Sequence, residues 1–146
     1  MKNPAKQLMT DHVFSVHPDT IMSEVKEIFD TNPIHHIPVV DDQNKVVGII
    51  SKLDYHVLLD HFTLFSCEVA EKRNKKFFST LLVKEVMTKN VSVIQANESL
   101  EVVIKTFLEN LFHALPVVEH ERLIGIITSH DVIKYLYEKE FILAIE

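Results

Sequence analysis

The spacing of hydrophobic residues changes along the chain, and each spacing predicts one kind of element. Apolar residues recur at intervals of three and four over 21–29 and again over 100–108, which predicts two amphipathic helices. Two short β-branched runs follow each predicted helix, and in the first half of the chain they are 37–40 and 46–50. The polar residues 41–44 between these runs predict a hairpin turn, and the residues around Glu121 take that place in the second half.

A second helical spacing follows each predicted hairpin, over 53–59 and 132–136. Short β-rich runs at 13–16 and 91–94 come before each first helix and predict a leading strand. The residues from 60 to 82 belong to neither pattern, and we interpret them as an extended helical connection. This connection is rich in large apolar side chains, which indicates that it packs on the protein's own core or on a second subunit. They are Phe62, Leu64, Phe65, Phe77 and Phe78.

The chain carries the same pattern twice, first at an offset of 78 residues and, after the shorter second turn, at an offset of 77. Such a repeat suggests two copies of one supersecondary unit related by an approximate twofold. The matched residues include a methionine-threonine pair, a histidine, a proline in a strand, a glycine and a hydroxyl-aspartate pair. In order, they are Met9-Thr10 with Met87-Thr88, His35 with His113, Pro38 with Pro116, Gly48 with Gly125, Ser51 with Thr128, and Asp54 with Asp131.

The composition is that of a folded protein, with 47% hydrophobic and 25% charged residues in a chain of 146. A net charge of −6 argues against a nucleic-acid surface, because phosphate binding depends on clustered basic residues. The basic run 72–76 is more typical of a solvated helix face. The single cysteine, Cys67, permits no internal disulfide, and its apolar surroundings in the sequence favour burial. No secretory signal or membrane-length apolar run occurs, so we expect a cytoplasmic protein.

Glycine occurs only twice, at the matched positions Gly48 and Gly125. Two explanations fit a residue that is used so sparingly and lies in a predicted strand. Either the strand carries a bulge there, or another group, such as a ligand, approaches the backbone closely. The sequence favours neither explanation over the other.

These motifs resemble a known family. The order Met-Thr, helix, His-x-x-Pro-Val-Val and Gly-Ile-Ile-[Ser/Thr]-x-x-Asp is similar to the cystathionine-β-synthase (CBS) domain, which usually occurs in tandem pairs called Bateman modules. The resemblance implies an α/β (α+β) fold in which two repeats of β-α-β-β-α order pack with pseudo-twofold symmetry. It places repeat 1 at 1–59, the helical connection at 60–82 and repeat 2 at 83–146. It also implies a homodimer with a regulatory role rather than an enzyme.

Two hydroxyl-aspartate pairs, Ser51 with Asp54 and Thr128 with Asp131, have the spacing of a capping box. In a capping box the hydroxyl and the carboxylate bind free N–H groups of the first helical turn. A ligand role can coexist with capping, because a helix N-terminus presents N–H donors and partial positive charge to a phosphate. An aspartate one turn on can accept both hydrogens of a ribose diol.

In the family that the chain resembles, these pairs bind an adenine nucleotide in clefts between the two repeats. The hydroxyl contacts phosphate or ribose, the aspartate holds the ribose, and the base packs near the threonine and the proline-containing strand. The resemblance implies AMP, ADP or ATP as the ligand, ahead of S-adenosylmethionine or a cyclic dinucleotide, and no required cofactor. Carried over to this sequence, one site uses Thr128, Asp131, Thr10, Val13, Ile37 and Pro38, and the other uses Ser51, Asp54, Thr88, Val91 and Leu115.

Three histidines precede the proline-containing strands, where related domains often place basic residues that meet phosphate: His35, His36 and His113. A hydrogen-bonded packing role explains them equally well. A metal site is not expected, because the adjacent His35 and His36 would point to opposite sides of a strand and no zinc spacing follows.

Two other classes of function remain open on the sequence alone. A protein-interaction scaffold that keeps the fold without binding a ligand fits the modest basic content near both predicted sites. An enzyme would need titratable groups gathered in one pocket, and the sequence shows no recognisable nucleophile-base pair. We therefore expect a regulatory module that acts on a protein partner, with no catalytic residues and no contact with nucleic acid or membrane.

Overall fold

The structure is a computed structural model that describes residues 4–62, 68–110 and 112–139, with side chains described except at 60–62 and 68–70. The chain divides into two compact units. We call Phe14–Val91 the central unit, and the described parts of Met1–Val13 and Ser92–Glu146 the terminal unit. Each unit combines helices with a small sheet, which confirms the predicted α+β class.

The central unit is built around an antiparallel hairpin that a helix precedes and another helix follows, as the hydrophobic spacing predicted. The first helix buries Met22, Val25 and Phe29, which share one face because they are spaced by three and four residues. Two further helices lie in and after the connection. The elements are α1 (Met22–Thr31), β1 (His36–Val40), β2 (Val46–Ser51), α2 (Lys52–Phe62), α3 (Glu68–Phe78) and α4 (Val83–Val86).

The terminal unit repeats this design with a short additional strand, which pairs in parallel with the first strand of the hairpin. Its opening segment at Ala5–Gln7 forms a single turn of 3-10 helix. The hairpin closes with a two-residue turn at His120 and Glu121, as predicted. The elements are β3 (Ile94–Gln95), α5 (Leu100–Asn110), β4 (Ala114–Glu119), β5 (Arg122–Thr128) and α6 (Ser129–Tyr137).

The two units do not follow the order of the sequence repeats. The methionine-threonine pair of each repeat joins the sheet that the other repeat builds. Thr88 forms two backbone hydrogen bonds with Ile49 of β2, at 2.9 and 3.0 Å, and Thr10 forms the same pair with Ile126 of β5, at 2.9 and 3.0 Å. Each hairpin therefore gains a one-residue antiparallel extension from a segment distant in the sequence.

The leading strands are much shorter than predicted. Of the residues 13–16 only Val16 pairs with a strand, in parallel with Val39, and of the residues 91–94 only Ile94 lies in a strand. The prediction was wrong for 13–15 and 91–93, which pair with no described strand and lie where the chain passes from one unit to the other. Strand propensity measures how well a side chain fits a sheet, and tertiary context decides whether a sheet is there.

The connection is helical where it is described, with α3 filling much of it. Phe78 is buried in the core of the central unit against Tyr55, so this part of the connection packs on the protein's own core, one of the two predicted arrangements. Leu64, Phe65 and Cys67 lie outside the described residues, as does the side chain of Phe62. No helix in the described part of the chain is long and apolar enough to cross a membrane.

Both glycines lie beside a bulge, which confirms one of the two explanations from the sequence, and each is also approached closely by another part of the chain. The strand register shifts opposite Val39 and Val40, next to Gly48, and the same shift occurs beside Gly125. A Cβ atom on Gly48 would lie 2.9 Å from Met87 Cγ and 3.1 Å from the Thr88 carbonyl oxygen. On Gly125 it would lie 2.8 Å from Met9 Cγ and 3.0 Å from the Thr10 carbonyl oxygen. The approaching group is the chain's own methionine-threonine segment.

Candidate functional site

The start of α2 is held by the predicted capping box. The backbone N–H and the hydroxyl of Ser51 both donate to Asp54 Oδ2, at 2.8 and 2.7 Å. In return, the N–H of Asp54 donates to Ser51 Oγ at 3.1 Å. The box fixes the carboxylate at the end of β2 because each partner bonds the other's backbone.

The start of α6 has the same arrangement. The N–H and hydroxyl of Thr128 donate to Asp131 Oδ2 at 2.7 and 2.6 Å, and the N–H of Asp131 donates to Thr128 Oγ1 at 3.3 Å. The capping interpretation of both motifs is confirmed. The two hydroxyl-aspartate pairs are thus preformed and nearly identical.

Each capping box leaves a defined set of groups for a ligand. The second carboxylate oxygen, Oδ1, of Asp54 and of Asp131 has no hydrogen-bond partner among the described residues. Both aspartates are half-buried, and no fully buried side-chain oxygen of the described residues lacks a partner, so this Oδ1 keeps some exposure and can serve as an anionic acceptor. The hydroxyl of Ser51 or Thr128 already donates its hydrogen to the carboxylate, and therefore keeps only acceptor capacity.

The backbone carbonyl groups of two histidines accept the first free N–H group of each helix. The sequence analysis considered only the histidine side chains and did not predict these hydrogen bonds. The N–H of Lys52 donates to the His35 carbonyl at 2.7 Å, and the N–H of Ser129 donates to the His113 carbonyl at 3.2 Å. The remaining donor near each capping box is the N–H of the second helical residue, Leu53 in α2 and His130 in α6. The sequence carries no signal for this contact, because any residue has a carbonyl.

The matched threonines lie in the same unit as the capping box that they were predicted to accompany. Thr88 pairs with Ile49, two positions before Ser51, and Thr10 pairs with Ile126, two positions before Thr128. Both threonine side chains are exposed. The half-buried Val91 and Val13 follow them in the central and the terminal unit. The backbone pairing therefore brings each threonine close to its capping box, and the valine of the same predicted site lies in the same unit.

The remaining predicted site residues fall into two groups. The side chains of Ile37 and Leu115 are 0% and 1% exposed and pack in the cores of the central and the terminal unit. Pro38 is buried in β1. In contrast, the side chains of His35 and His113 are exposed, and His36 is half-buried. Their parts in ligand binding stay predictions.

Among the described residues, no group of three or more His, Cys, Asp or Glu side chains is placed to hold a metal ion. The chemistry available at each capping box is therefore that of one carboxylate, one hydroxyl oxygen and one helix N–H. Such a set recognises a neutral diol or amide better than it recognises a lone phosphate, because the anionic acceptor is its strongest group.

Two α+β units of one design, each with a capped helix start at the end of a hairpin, define this protein as a tandem-repeat module. The sequence pattern of the CBS domain matches residues 5–55 and 83–138, and the chain belongs to the CBS domain family. A CBS domain-containing protein of Dictyostelium discoideum is 30% identical over 93% of this chain and 92% of its own length. Other relatives are longer. The chain spans 44% of an uncharacterized protein and 23% of an inosine-5′-monophosphate dehydrogenase, both of Methanocaldococcus jannaschii.

Solved structures with the same fold include complexes with adenosine compounds. CBSX2 in complex with AMP is 26% identical, with a TM-score of 0.75 over 94% of this chain and 98% of that one. The CBS domain pair of protein MJ0100, in complex with 5′-methylthioadenosine and S-adenosyl-L-methionine, is 24% identical, with a TM-score of 0.73 over 96% of this chain and 100% of that one. The second likeness concerns the fold alone.

Proposed function

We propose that this protein is a regulatory module that binds an adenine nucleotide at its two capping boxes. The observation that carries the proposal is the preformed carboxylate of each box, with one oxygen held by the helix start and the other without a partner among the described residues. The AMP complex of the related CBSX2 supports an adenosine ligand. One site consists of Ser51, Asp54, Thr88 and Val91, and the other of Thr128, Asp131, Thr10 and Val13.

The ribose is the part of the nucleotide that each aspartate fits best. Oδ1 of Asp54 or Asp131 accepts hydrogens from the 2′ and 3′ hydroxyls, as a charge-assisted contact. The threonine and valine of the same unit provide a hydroxyl and an apolar surface for the base. Fewer groups are available to bind a phosphate. They are the N–H of Leu53 or His130 and a nearby histidine side chain. AMP is therefore the first ligand to test, followed by ADP, ATP and S-adenosylmethionine.

Regulation follows if the ligand binds one conformation of the module more tightly than another. A ligand that orders the methionine-threonine segments would stabilise both sheets, since these segments form their edges. We further propose that the module works as a homodimer in the cytoplasm and transmits the change to a protein partner. In this role it performs no chemical step, so no residue is assigned to catalysis.

The test is a thermal-shift and calorimetric titration of AMP, ADP, ATP and S-adenosylmethionine. The variants are Asp54→Asn, Asp131→Asn and the double substitution, because asparagine keeps an acceptor for the cap but loses the charge and one of its two acceptor oxygens. At a ligand concentration of one hundred times Kd, one site stabilises the fold by about 2.7 kcal/mol. Each single variant should lose one site, and the double variant should lose all stabilisation.

A matched control comes from α4. The side chain of Glu85 accepts the backbone N–H of Leu82 at 2.8 Å, so Glu85→Gln alters a similar helix start through a residue that belongs to neither proposed site. It should leave every titration unchanged. If no nucleotide shifts the wild-type transition, the proposal is wrong and the scaffold function takes its place. One observation favours a scaffold. The hydroxyls of Ser51 and Thr128 and the first N–H of each helix already form hydrogen bonds within the protein, so they are not available as donors to a ligand.

A further inference from the structure

The central unit contains a cavity that neither capping box uses. It has a volume of about 840 Å³ and lies among α1, α2 and α3. Pockets of this size hold small organic ligands. Its apolar surface includes the rings of Tyr55 and Phe78, whose centroids are 5.5 Å apart. Its charged residues are Lys26, Glu71, Lys72 and Lys75.

Tyr55, which lines this cavity, carries a polar group. Its side chain is only 3% exposed, yet its hydroxyl has no hydrogen-bond partner among the described residues. Among the described residues, no fully buried side-chain oxygen or nitrogen lacks a partner, so this hydroxyl keeps some exposure, and we infer that it faces the cavity that Tyr55 lines. Burial raises the pKa of Tyr55, with a further contribution from Asp30 that Lys26 opposes. The hydroxyl is therefore protonated at neutral pH and can donate a hydrogen bond.

Among the described residues, the lining of the cavity carries more basic than acidic side chains. Lys72 and Lys75 are three residues apart on α3, hence on one face, and form no ion pair with a described residue. Lys26 projects from α1 and is hydrogen-bonded to Asp30, which raises its pKa and keeps it charged. Glu71 is the one acidic residue in the lining. Because Asp30 already pairs with Lys26, the excess positive charge comes from Lys72 and Lys75 against Glu71, and this excess favours an anionic occupant.

The second repeat shows that these groups are not demanded by the fold. The residue matched to Lys26 is Ile104, and the residue matched to Tyr55 is Val132. Val132 is buried in the core of the terminal unit at 7% exposure. An apolar side chain therefore satisfies the same structural position, and the hydroxyl and ammonium of the central unit are additions.

We propose that the cavity binds an organic anion, with an aromatic or similarly flat apolar body on Tyr55 and Phe78 and a carboxylate or phosphate between Lys72 and Lys75. The hydroxyl of Tyr55 donates to a polar atom of the ligand. This site is separate from the nucleotide sites and does not depend on them. Ligand binding here would fix α3, the helix of the connection, against α1 and α2.

The experiment is a two-dimensional NMR titration of the labelled full chain, with saturating AMP present so that any nucleotide site is already filled. Phenyl phosphate and benzoate are the probes, and they separate a phosphate from a carboxylate preference. Inorganic phosphate and benzyl alcohol are the comparison compounds that lack the ring or the charge. Amides of α1, α2 and α3 should shift with at least one aromatic anion, and more weakly with the comparison compounds.

Two double variants that remove the same charge from α3 test whether the probe binds in the cavity. Lys72→Ala/Lys75→Ala should raise the Kd of the probe by about tenfold, since the two exposed ammonium groups each contribute a charge contact that solvent weakens. Arg73→Ala/Lys76→Ala removes the same charge from the same helix at the same spacing, but from residues that do not line the cavity, and should change the Kd less than about twofold. Tyr55→Phe should weaken binding while the melting temperature stays near that of the wild type.

Three results would overturn the proposal. They are no binding of either aromatic anion at millimolar concentration, equal losses in the two double variants, and binding of benzyl alcohol as tight as that of benzoate. Equal losses would mean that only the general charge of α3 attracts the probe. Tight binding of benzyl alcohol would mean that the cavity selects apolar bodies without regard to charge.

Discussion

The central and terminal units share an element order but complete their cores differently. In the central unit the rings of Phe29, Tyr55 and Phe78 come from three helices and form one cluster, with centroids 6.4 and 5.5 Å apart. In the terminal unit the matched positions hold the half-buried Phe107 and the buried Val132, and no described helix corresponds to α3. The helix α3 is thus part of the central core, and the described part of the terminal unit has no counterpart to it.

What the two units keep in common is as informative as the difference. Both preserve a capping box, a glycine under a methionine side chain, and a fully buried valine in the first helix, Val25 or Val103. Residues shared by both copies are needed for the common fold or the paired site. Residues found in one copy, such as Tyr55, point to a property that only this copy has.

The largest expected effect is a difference in stability loss between matched substitutions in the two cores. Phe29→Ala removes a ring that is 1% exposed and should lower the free energy of unfolding by about 3–5 kcal/mol. Phe107→Ala removes a ring that is only half-buried, and its cost should be clearly smaller because less apolar surface returns to water. Urea denaturation of both variants measures the difference. Equal losses would contradict the view that α3 makes the central core more dependent on its rings.

The second prediction tests what the units share. Gly48→Ala and Gly125→Ala should each cost about 1–3 kcal/mol, since the new methyl group overlaps a methionine side chain and touches a backbone carbonyl. The two costs should be similar because the contacts are nearly identical.

A second substitution identifies the cause of this cost. Adding Met87→Ala to the first variant and Met9→Ala to the second removes the overlapping side chain, so each double variant should lose less than the sum of its single substitutions. Additive losses would show that the methionine contact is not the reason for glycine.

The third prediction concerns the hairpin turns, which differ between the units. In the terminal unit both turn residues, His120 and Glu121, adopt positive φ angles of 50° and 65°. Each such residue is strained by roughly 1–2 kcal/mol in a left-handed conformation, which asparagine and glycine adopt more easily. The double substitution His120→Asn/Glu121→Gly should therefore raise the unfolding free energy by about 1 kcal/mol.

The central unit supplies the control for the turn. Its turn already places an asparagine, Asn44, at a positive φ of 62°, and the carboxylate of Asp41 accepts the N–H groups of Gln43 and Lys45, both at 2.9 Å. Asn44→Gly should therefore change stability very little. A gain there as large as in the terminal unit would mean that turn strain does not explain the effect.

The smallest expected effect is a pH dependence at two matched lysines. Lys84 donates to Asp19 at 2.7 Å in the central unit, and Lys6 donates to Glu119 at 3.3 Å in the terminal unit. The hydrogen bond and charge of Lys84 hold the pKa of Asp19 below its ordinary value of 3.8. A lowered pKa means that the pair's contribution is complete above about that value and is lost as the pH falls through the lowered one.

Comparing Asp19→Asn with the wild type from pH 7 to pH 2 measures this contribution. The difference in unfolding free energy should be small, should vanish in acid, and should shrink with added salt because both groups are exposed. Glu119→Gln should change the unfolding free energy at pH 7 less than Asp19→Asn does, because the Lys6–Glu119 contact is longer. A difference that persists below the lowered pKa would assign the effect of Asp19 to packing rather than to charge.

Much of the local structure could be predicted because it depends on residues close together in the chain. The spacing of apolar residues located α1 and α5, the polar turns located both hairpins, and the spacing of Ser51 and Asp54 located the capped start of α2. Each of these depends on hydrogen bonds or packing within about one helical turn or one hairpin. The internal repeat allowed each prediction to be made twice.

The candidate site was predicted less completely. Its hydroxyl and carboxylate follow from the capping motif, and their interaction was found as expected. The use of the His35 and His113 carbonyls to satisfy the first helical N–H groups had no side-chain signal. Nor could the spacing show that Ile37 and Leu115 point into the cores, since a strand residue has two possible faces.

The sequence by itself determined the family, the repeated unit, the element order and the capping chemistry, because periodicity and short-range hydrogen bonding specify them. Only the tertiary structure decided which sheet each methionine-threonine segment joins, how far the leading strands extend, and where Phe78 packs. These features depend on residues far apart in the chain, such as Met9 with Gly125 and Met87 with Gly48. Local preference does not specify such partners, and they are selected by the packing of the whole unit.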